Sequence, residues 1–426
     1  MRHEWRLRLL RVSTGVAIVA LATYGCGQGT SSPSSGSSSS PAPTNAVASS
    51  TAVASASGTV PSGPPLAEWT TLKWSVPSTL PADAVPTDAV HTAAGVVVVG
   101  ASTNSQGAGA WLSTDGRQWR TTLDDRVDGL TASILHVVAG PTQVVALGTA
   151  GSPICTGSGA GSTCRVARYV VWTSPDGRQW LRHAAVPAFD GADIVAIAAG
   201  PAGVLAIGRT KGRSSIWFSH DGVQWQTEQM GPPFLGSLLT DVAADAGGWL
   251  VSGGLRAAPL ADVVPAVWYS GDGHAWSRAK MQLSSQAQGR AQGSVFRIGV
   301  GANGLVAVGD AVSGDGYGSG IAFEWISSKG TVWSLVTPSE LFPGASITSD
   351  GVHIVARAWI YRDRLAFATS QDGRSWQTMS NDGSIEHMPT WGVSGFVVVT
   401  GDLVVVVADT QPPSGSTVWI GDASGG

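Results

Sequence analysis

The chain has 426 residues, among them 56 glycines, 23 prolines and 18 tryptophans; only 13% are charged and the formal net charge is −4. An apolar fraction of 43% excludes an intrinsically disordered chain or an acidic tail protein, and the charge balance gives no general case for nucleic-acid binding. Abundant glycine and β-branched residues at low charge point to an all-β protein with frequent turns.

At the amino end, Arg2, Arg6, Arg8 and Arg11 precede an apolar stretch from Val12 to Ala22. It is shorter than the roughly 20 residues a spanning helix needs. Residues 1–25 therefore read as a secretory signal. Thr23-Tyr24-Gly25-Cys26 resembles a bacterial lipobox, although Thr23 and Tyr24 depart from its usual leucine and small residue. The resemblance implies lipidation of Cys26 and an extracytoplasmic protein anchored to the cell membrane. The alternative is an ordinary signal peptide and a secreted chain. Residues 26–66, rich in Ser, Ala, Thr, Pro and Gly and without charge, cannot bury enough apolar surface to offset their ordering entropy. A flexible tether of that length reaches roughly 35 Å.

From residue 67 to 426 the chain repeats itself. Trp111 to Trp119 reads WLSTDGRQW, and close copies run from Trp172 to Trp180, Trp217 to Trp225 and Trp268 to Trp276. A worn copy from Trp325 to Trp333 has Lys329 in place of the aspartate, and a further one runs from Ser370 to Trp376. The shared core is S-x-D-G-x-x-W. Pro175 suits the first central position of a turn, and Gly177 suits the left-handed residue that closes a three-residue hairpin loop. That loop predicts Trp172 opposite Trp180 and Ser174 opposite Arg178, with the aspartate accepting N–H groups of its own turn.

Apolar runs such as Val96–Val99, Val144–Leu147, Val204–Ile207 and Leu305–Val308 precede the hairpins and read as buried strands. An alternating segment lies before each, which makes four strands per unit. The second tryptophan of each phrase recurs at 74, 119, 180, 225, 276, 333 and 376, a period that marks β-propeller blades. The longest interval carries Cys155 and Cys164. In a secreted chain an isolated nearby pair is expected to form a disulfide; metal binding is the weaker reading, because further ligands are not close in sequence. The chain ends on a third strand containing Val418 and Trp419, and Lys73-Trp74 near the start matches the missing fourth. The expectation is an all-β, seven-bladed propeller of four-stranded blades, its termini sharing one blade, which leaves no open edge.

The hairpin phrase resembles the Asp-box of bacterial neuraminidase repeats, found in sialidases and related propellers, though it is one residue shorter between Asp and Gly. The resemblance implies structural boxes on the face away from an active site. It thus assigns folding roles to Ser113, Asp115, Gly116 and Trp119; Ser174, Asp176, Gly177 and Trp180; Ser219, Asp221, Gly222 and Trp225; Ser270, Asp272, Gly273 and Trp276; and Ser370, Asp372, Gly373 and Trp376. A sialidase would also need three convergent arginines, a Tyr–Glu nucleophile pair and an acid/base aspartate. Tyr169, Tyr269, Tyr317 and Tyr361 form no recognisable spaced pair with Glu68, Glu228, Glu324, Glu340 or Glu386. Phe296-Arg297-Ile298-Gly299 echoes the family's Arg-Ile-Pro phrase, but without the proline and in the fifth unit. No catalytic residue is assigned, and the scattered histidines give no reason to expect a metal or cofactor.

The loops between second and third strands carry Arg165, Arg168, Arg209, Lys211, Arg213 and Arg256. Together they predict a basic arc for an anionic partner. The functional expectation is a membrane-tethered, non-catalytic binding or assembly module for an acidic glycan or envelope polymer, with no nucleic-acid partner. The alternative is a sialidase-like exo-glycosidase.

Overall fold

The computed structural model describes residues 73–75, 78–151, 154–156, 163–165, 168–256, 263–283, 292–312, 321–336, 346–360, 364–379, 395–400, 403–409 and 416–422. The signal segment, Cys26, the tether, Glu68, Tyr317, Glu340, Tyr361 and Glu386 lie outside them.

Seven antiparallel units follow one another. The first is Ala84–Thr92, Gly95–Ser102, Ala108–Ser113 and Arg120–Asp125. The second is Ala132–Ala139, Val144–Ala150, Arg168–Ser174 and Leu181–Arg182; the third is Ala192–Gly200, Gly203–Thr210, Arg213–Ser219 and Gln226–Thr227. The fourth opens with Ser237–Asp245, the fifth with Gln292–Gly301 and the sixth with Ser346–Ser349. In the seventh, Gly395–Thr400, Leu403–Asp409 and Ser416–Asp422 are completed by Lys73–Trp74, with Lys73 opposite Asp422 and Trp74 opposite Gly421. The termini thus share a blade, as the repeat count requires.

The apolar strands are covered on both sides by neighbouring blades, which is why they read as continuous rather than alternating runs. Val97, Val98 and Val99 are fully buried, as are Trp172, Trp217, Trp268 and Trp325. A buried indole still needs a partner for its N–H. Trp172 Nε1 donates to Asp125 Oδ2 at 2.8 Å, Trp217 Nε1 to Ala188 O at 2.8 Å, and Trp268 Nε1 to Pro233 O at 2.7 Å. Trp217 and Trp268 thereby tie their strands to the connections that lead into their own blades, and Trp172 ties its strand to the last strand of the preceding blade.

The hairpins depart from the expected register. Trp172 lies opposite Arg182 and Thr173 opposite Leu181, not Trp172 opposite Trp180. The loop is longer than three residues, and its offset is the same in the fifth hairpin, where Trp325 lies opposite Leu335 although Lys329 replaces the aspartate. Where the aspartate is present it fastens that turn: Asp115 Oδ1 accepts N–H groups of both Arg117 (2.9 Å) and Gln118 (3.0 Å). The second tryptophan then folds back over the loop: Trp225 Nε1 and Trp276 Nε1 donate to Gly222 O and Gly273 O, both at 3.0 Å. Gly177 does take the left-handed conformation, at φ +88°. A Cβ there would lie 2.4 Å from Val97 Cγ2 of the preceding blade, so the glycine serves close approach as well as the turn.

Candidate functional site

Because strands alternate in direction within a blade, the turns between first and second strands share a face with the box hairpins. They touch across blades: Thr92 Oγ1 donates to Asp176 O at 2.9 Å and Gln143 Nε2 to Asp221 O at 2.8 Å. The opposite face carries the loops between second and third strands and the crossings to the next blade.

The predicted basic arc lies on that opposite face, and it is partly neutralised. Arg168 Nη2 sits 2.5 Å from Asp128 Oδ2, and Arg209 Nη2 lies 3.9 Å from Asp193 Oδ2. Lys211 and Arg213 are exposed and form no ion pair among the described residues. Lys211 (φ +53°) and Gly212 (φ +77°) form the tight turn between Thr210 and Arg213, which holds the ammonium at a loop tip. Arg256 is half-buried at the end of its strand, and the side chain of Arg165 lies outside the described residues. Cys155 stands directly opposite Cys164 in the short ladder Ile154–Thr156 and Thr163–Arg165.

A second constellation escaped the sequence reading. The innermost strands of the first five blades each slip register once, between Pro86 and Asp88, Ile134 and His136, Ile194 and Ala196, Leu239 and Asp241, and Val295 and Arg297. A bulge re-aims the residue that follows it. Equivalent positions on these five innermost strands are therefore Asp88, His136, Ala196, Asp241 and Arg297, four of them polar, and they are called the axial ring below.

Two members of the ring also fasten blades together. Asp88 accepts N–H groups from Ala89 and, across the blade boundary, from Val137, both at 2.9 Å. Asp241 Oδ2 accepts the Ile298 N–H at 2.9 Å. The preceding threonines do likewise: Thr87 Oγ1 donates to Ile134 O at 2.7 Å, and Thr240 Oγ1 donates to Val295 O. Burial pushes Asp88 up to about 7 in spite of those two donors, and pushes Asp241 up as well, against the pull of Arg297. His136 is driven down to about 4, first by burial and then by the charge of Arg297. The histidine is thus neutral at pH 7 and lies within electrostatic reach of Arg297 three blades away. Arg297 Nη1 stands 4.0 Å from Asp241 Oδ1, with the arginine side chain 43% exposed. Its guanidinium donates to Phe296 O at 2.9 Å and keeps further donors for a ligand. A Thr-Asp pair at matching places, residues 87–88 and 240–241, was the sequence signal for this ring.

A second missed signal is the repeat VPAFDG at 186–191 and GPPFLG at 231–236. Its phenylalanines plug the crossings into the third and fourth blades. Phe189 meets Trp217 edge-on at 5.5 Å, and Phe234 stacks on Trp268 at 5.1 Å. Among the described residues, no group of three or more His, Cys, Asp or Glu side chains is arranged to hold a metal ion.

No family model and no curated protein sequence matches the chain. Its fold is similar to that of the polysaccharide lyase Uly1, with a TM-score of 0.52 at 10% identity over 80% of this chain and 91% of that one. Weaker likenesses are to an α-L-arabinanase of Penicillium chrysogenum (TM-score 0.40, 11% identity, 68% of this chain and 94% of that one) and to the sialidase of Trypanosoma rangeli (0.37, 12%, 84% and 55%). These likenesses are of fold alone.

Proposed function

We propose that the protein engages a glycan at the axis of the propeller, reached from the face that bears Lys211 and Arg213. The observation that carries this reading is Arg297, a half-exposed guanidinium on the innermost strands, loosely paired with Asp241 and flanked by the neutral His136. A planar guanidinium binds a carboxylate or sulfate bidentately, so an acidic saccharide suits it best. The cations at the outer loops would gather such a polymer by long-range attraction. In this reading the lipid on Cys26 and the tether hold the propeller at the cell membrane, and a Cys155–Cys164 disulfide stiffens the adjacent loop.

Hydrolysis is the second reading, and Asp88 favours it. A carboxyl near 7 is protonated in about half of the molecules at neutral pH and in that form can donate its proton to a leaving oxygen, with Asp241 as the second carboxyl. By analogy of fold, the polysaccharide lyase Uly1 brings a carbohydrate role into view for either reading without choosing between them. Affinity electrophoresis against acidic and neutral polysaccharides tests the first, with Arg297→Ala expected to abolish retardation by the acidic polymer. Retardation unchanged in Arg297→Ala would remove the axial site from consideration. Fluorogenic glycosides test the second: turnover that disappears in Asp88→Asn would make the protein a hydrolase.

A further inference from the structure

In four hairpins the aspartate carboxylate gathers the same three donors. Asp272 Oδ1 accepts the Ser270 hydroxyl at 2.9 Å and the N–H groups of His274 and Ala275, both at 2.8 Å. Asp115, Asp221 and Asp372 repeat this set on their own turns. The donors favour a negative charge strongly enough to draw Asp272 down to about 2, with the Ala275 and His274 N–H groups the largest causes. They do so at an exposed turn, where an ordinary surface carboxylate would stay near 4.

The fifth blade keeps the turn and lacks the carboxylate. Gly330 is left-handed at φ +72°. Ser327 Oγ accepts the Gly330 N–H at 2.9 Å, and Trp333 Nε1 donates to Gly330 O at 2.9 Å, as their counterparts do in the fourth blade. The residue at the aspartate position is Lys329, exposed at the tip. Among the described residues no side chain accepts the N–H groups of Thr331 and Val332, the pair that an aspartate takes elsewhere. A cavity of about 340 Å³ borders the same turn, lined by Lys329, Ser328, Tyr269, Trp249 and Asp245. Its aromatic and hydroxyl groups suit a small hydroxylated ring.

We infer that the fifth hairpin binds a hydroxylated carboxylate of the uronic-acid class. The ligand's carboxylate takes the Ser327, Thr331 and Val332 donors that an aspartate occupies in the sister hairpins. Lys329 supplies the counter-charge, and the ring lies along the cavity beside Tyr269. This site is on the face opposite to Lys211 and Arg213 and does not depend on the axial reading. The test is titration of the full chain with glucuronate, followed by calorimetry and thermal shift. Lys329→Asp restores the missing carboxylate intramolecularly. It is expected to raise the melting temperature without ligand and to weaken glucuronate binding by about tenfold or more, the worth of a charge-assisted hydrogen-bond set. Lys329→Ala should bind several-fold more weakly than the wild type, and the same ratio is expected when both are compared in an Arg297→Ala background, where the axial guanidinium contributes nothing. Failure of the wild type to bind glucuronate, equal binding of glucose, or unchanged binding by Lys329→Asp would each overturn the inference.

Discussion

Asp272 in a box hairpin and Asp88 on an innermost strand each accept two backbone N–H groups, yet one is held at about 2 and the other at about 7. The difference lies in what surrounds the carboxylate. The hairpin side chain stays in water, so its hydrogen bonds to the charged form decide the outcome. On the innermost strand the carboxyl is half-buried at a blade boundary, and lost hydration outweighs the same kind of bonds. The repeat thus uses aspartate in two opposite ways: held in its charged form where it shapes a turn, and pushed towards its protonated form at Asp88 and Asp241, where it joins two blades.

Disrupting the frame should have the largest effects. Trp172→Ala removes a fully buried indole and should cost about 4 kcal/mol, read by chemical denaturation; a loss below about 1 kcal/mol would show that the blades do not depend on this contact. Gly177→Val places a β-branched residue at a left-handed position whose Cβ abuts Val97, and should cost about 3 kcal/mol from backbone strain and overpacking together.

The pH profiles sharpen the contrast, because the two carboxylates have opposite signs. Asp272 is depressed in the folded state, so its contribution is present above about 4 and is lost as pH falls towards 2. Asp272→Asn should therefore lower the melting temperature at pH 7 and leave it unchanged near pH 2. Asp88 is raised, so its protonated form stabilises the fold at low pH, and that contribution is lost as pH rises from about 4 through about 7. His136 is depressed, and it adds stability as pH rises from about 4 to about 6.5. It masks Asp88 in the wild type. The difference in melting temperature between wild type and Asp88→Asn isolates the carboxyl, and it should fall steadily from pH 4 to pH 7. A difference that rises over this range would reverse the assignment.

The smallest effect is expected at Leu235, which is 81% exposed at the crossing into the fourth blade. Leu235→Ser should change stability by no more than about 0.5 kcal/mol, whereas its neighbour Phe234, stacked on Trp268, should not tolerate a polar replacement. Measuring the pair by thermal denaturation separates the packed part of the GPPFLG motif from its surface.

Much of this architecture is written in one dimension. The S-x-D-G-x-x-W phrase, its spacing and the orphan Lys73-Trp74 determine seven blades and their closure, because each turn is built from residues adjacent in sequence. The closing strand pair, 345 residues apart at Ser75 and Ile420, follows from counting alone. The hairpin register did not follow, since the same long loop forms with Asp176 or with Lys329 at its tip and so is set by the backbone of the whole turn rather than by the Asp-Gly pair. Nor did the axial ring. Asp88, His136, Asp241 and Arg297 belong to four different blades and become equivalent only through a bulge in each strand, and neither composition nor local spacing records a bulge. Local chemistry set the repeat, while the enclosure of charge at the axis, and the opposite fates of its aspartates, were decided by the assembled ring.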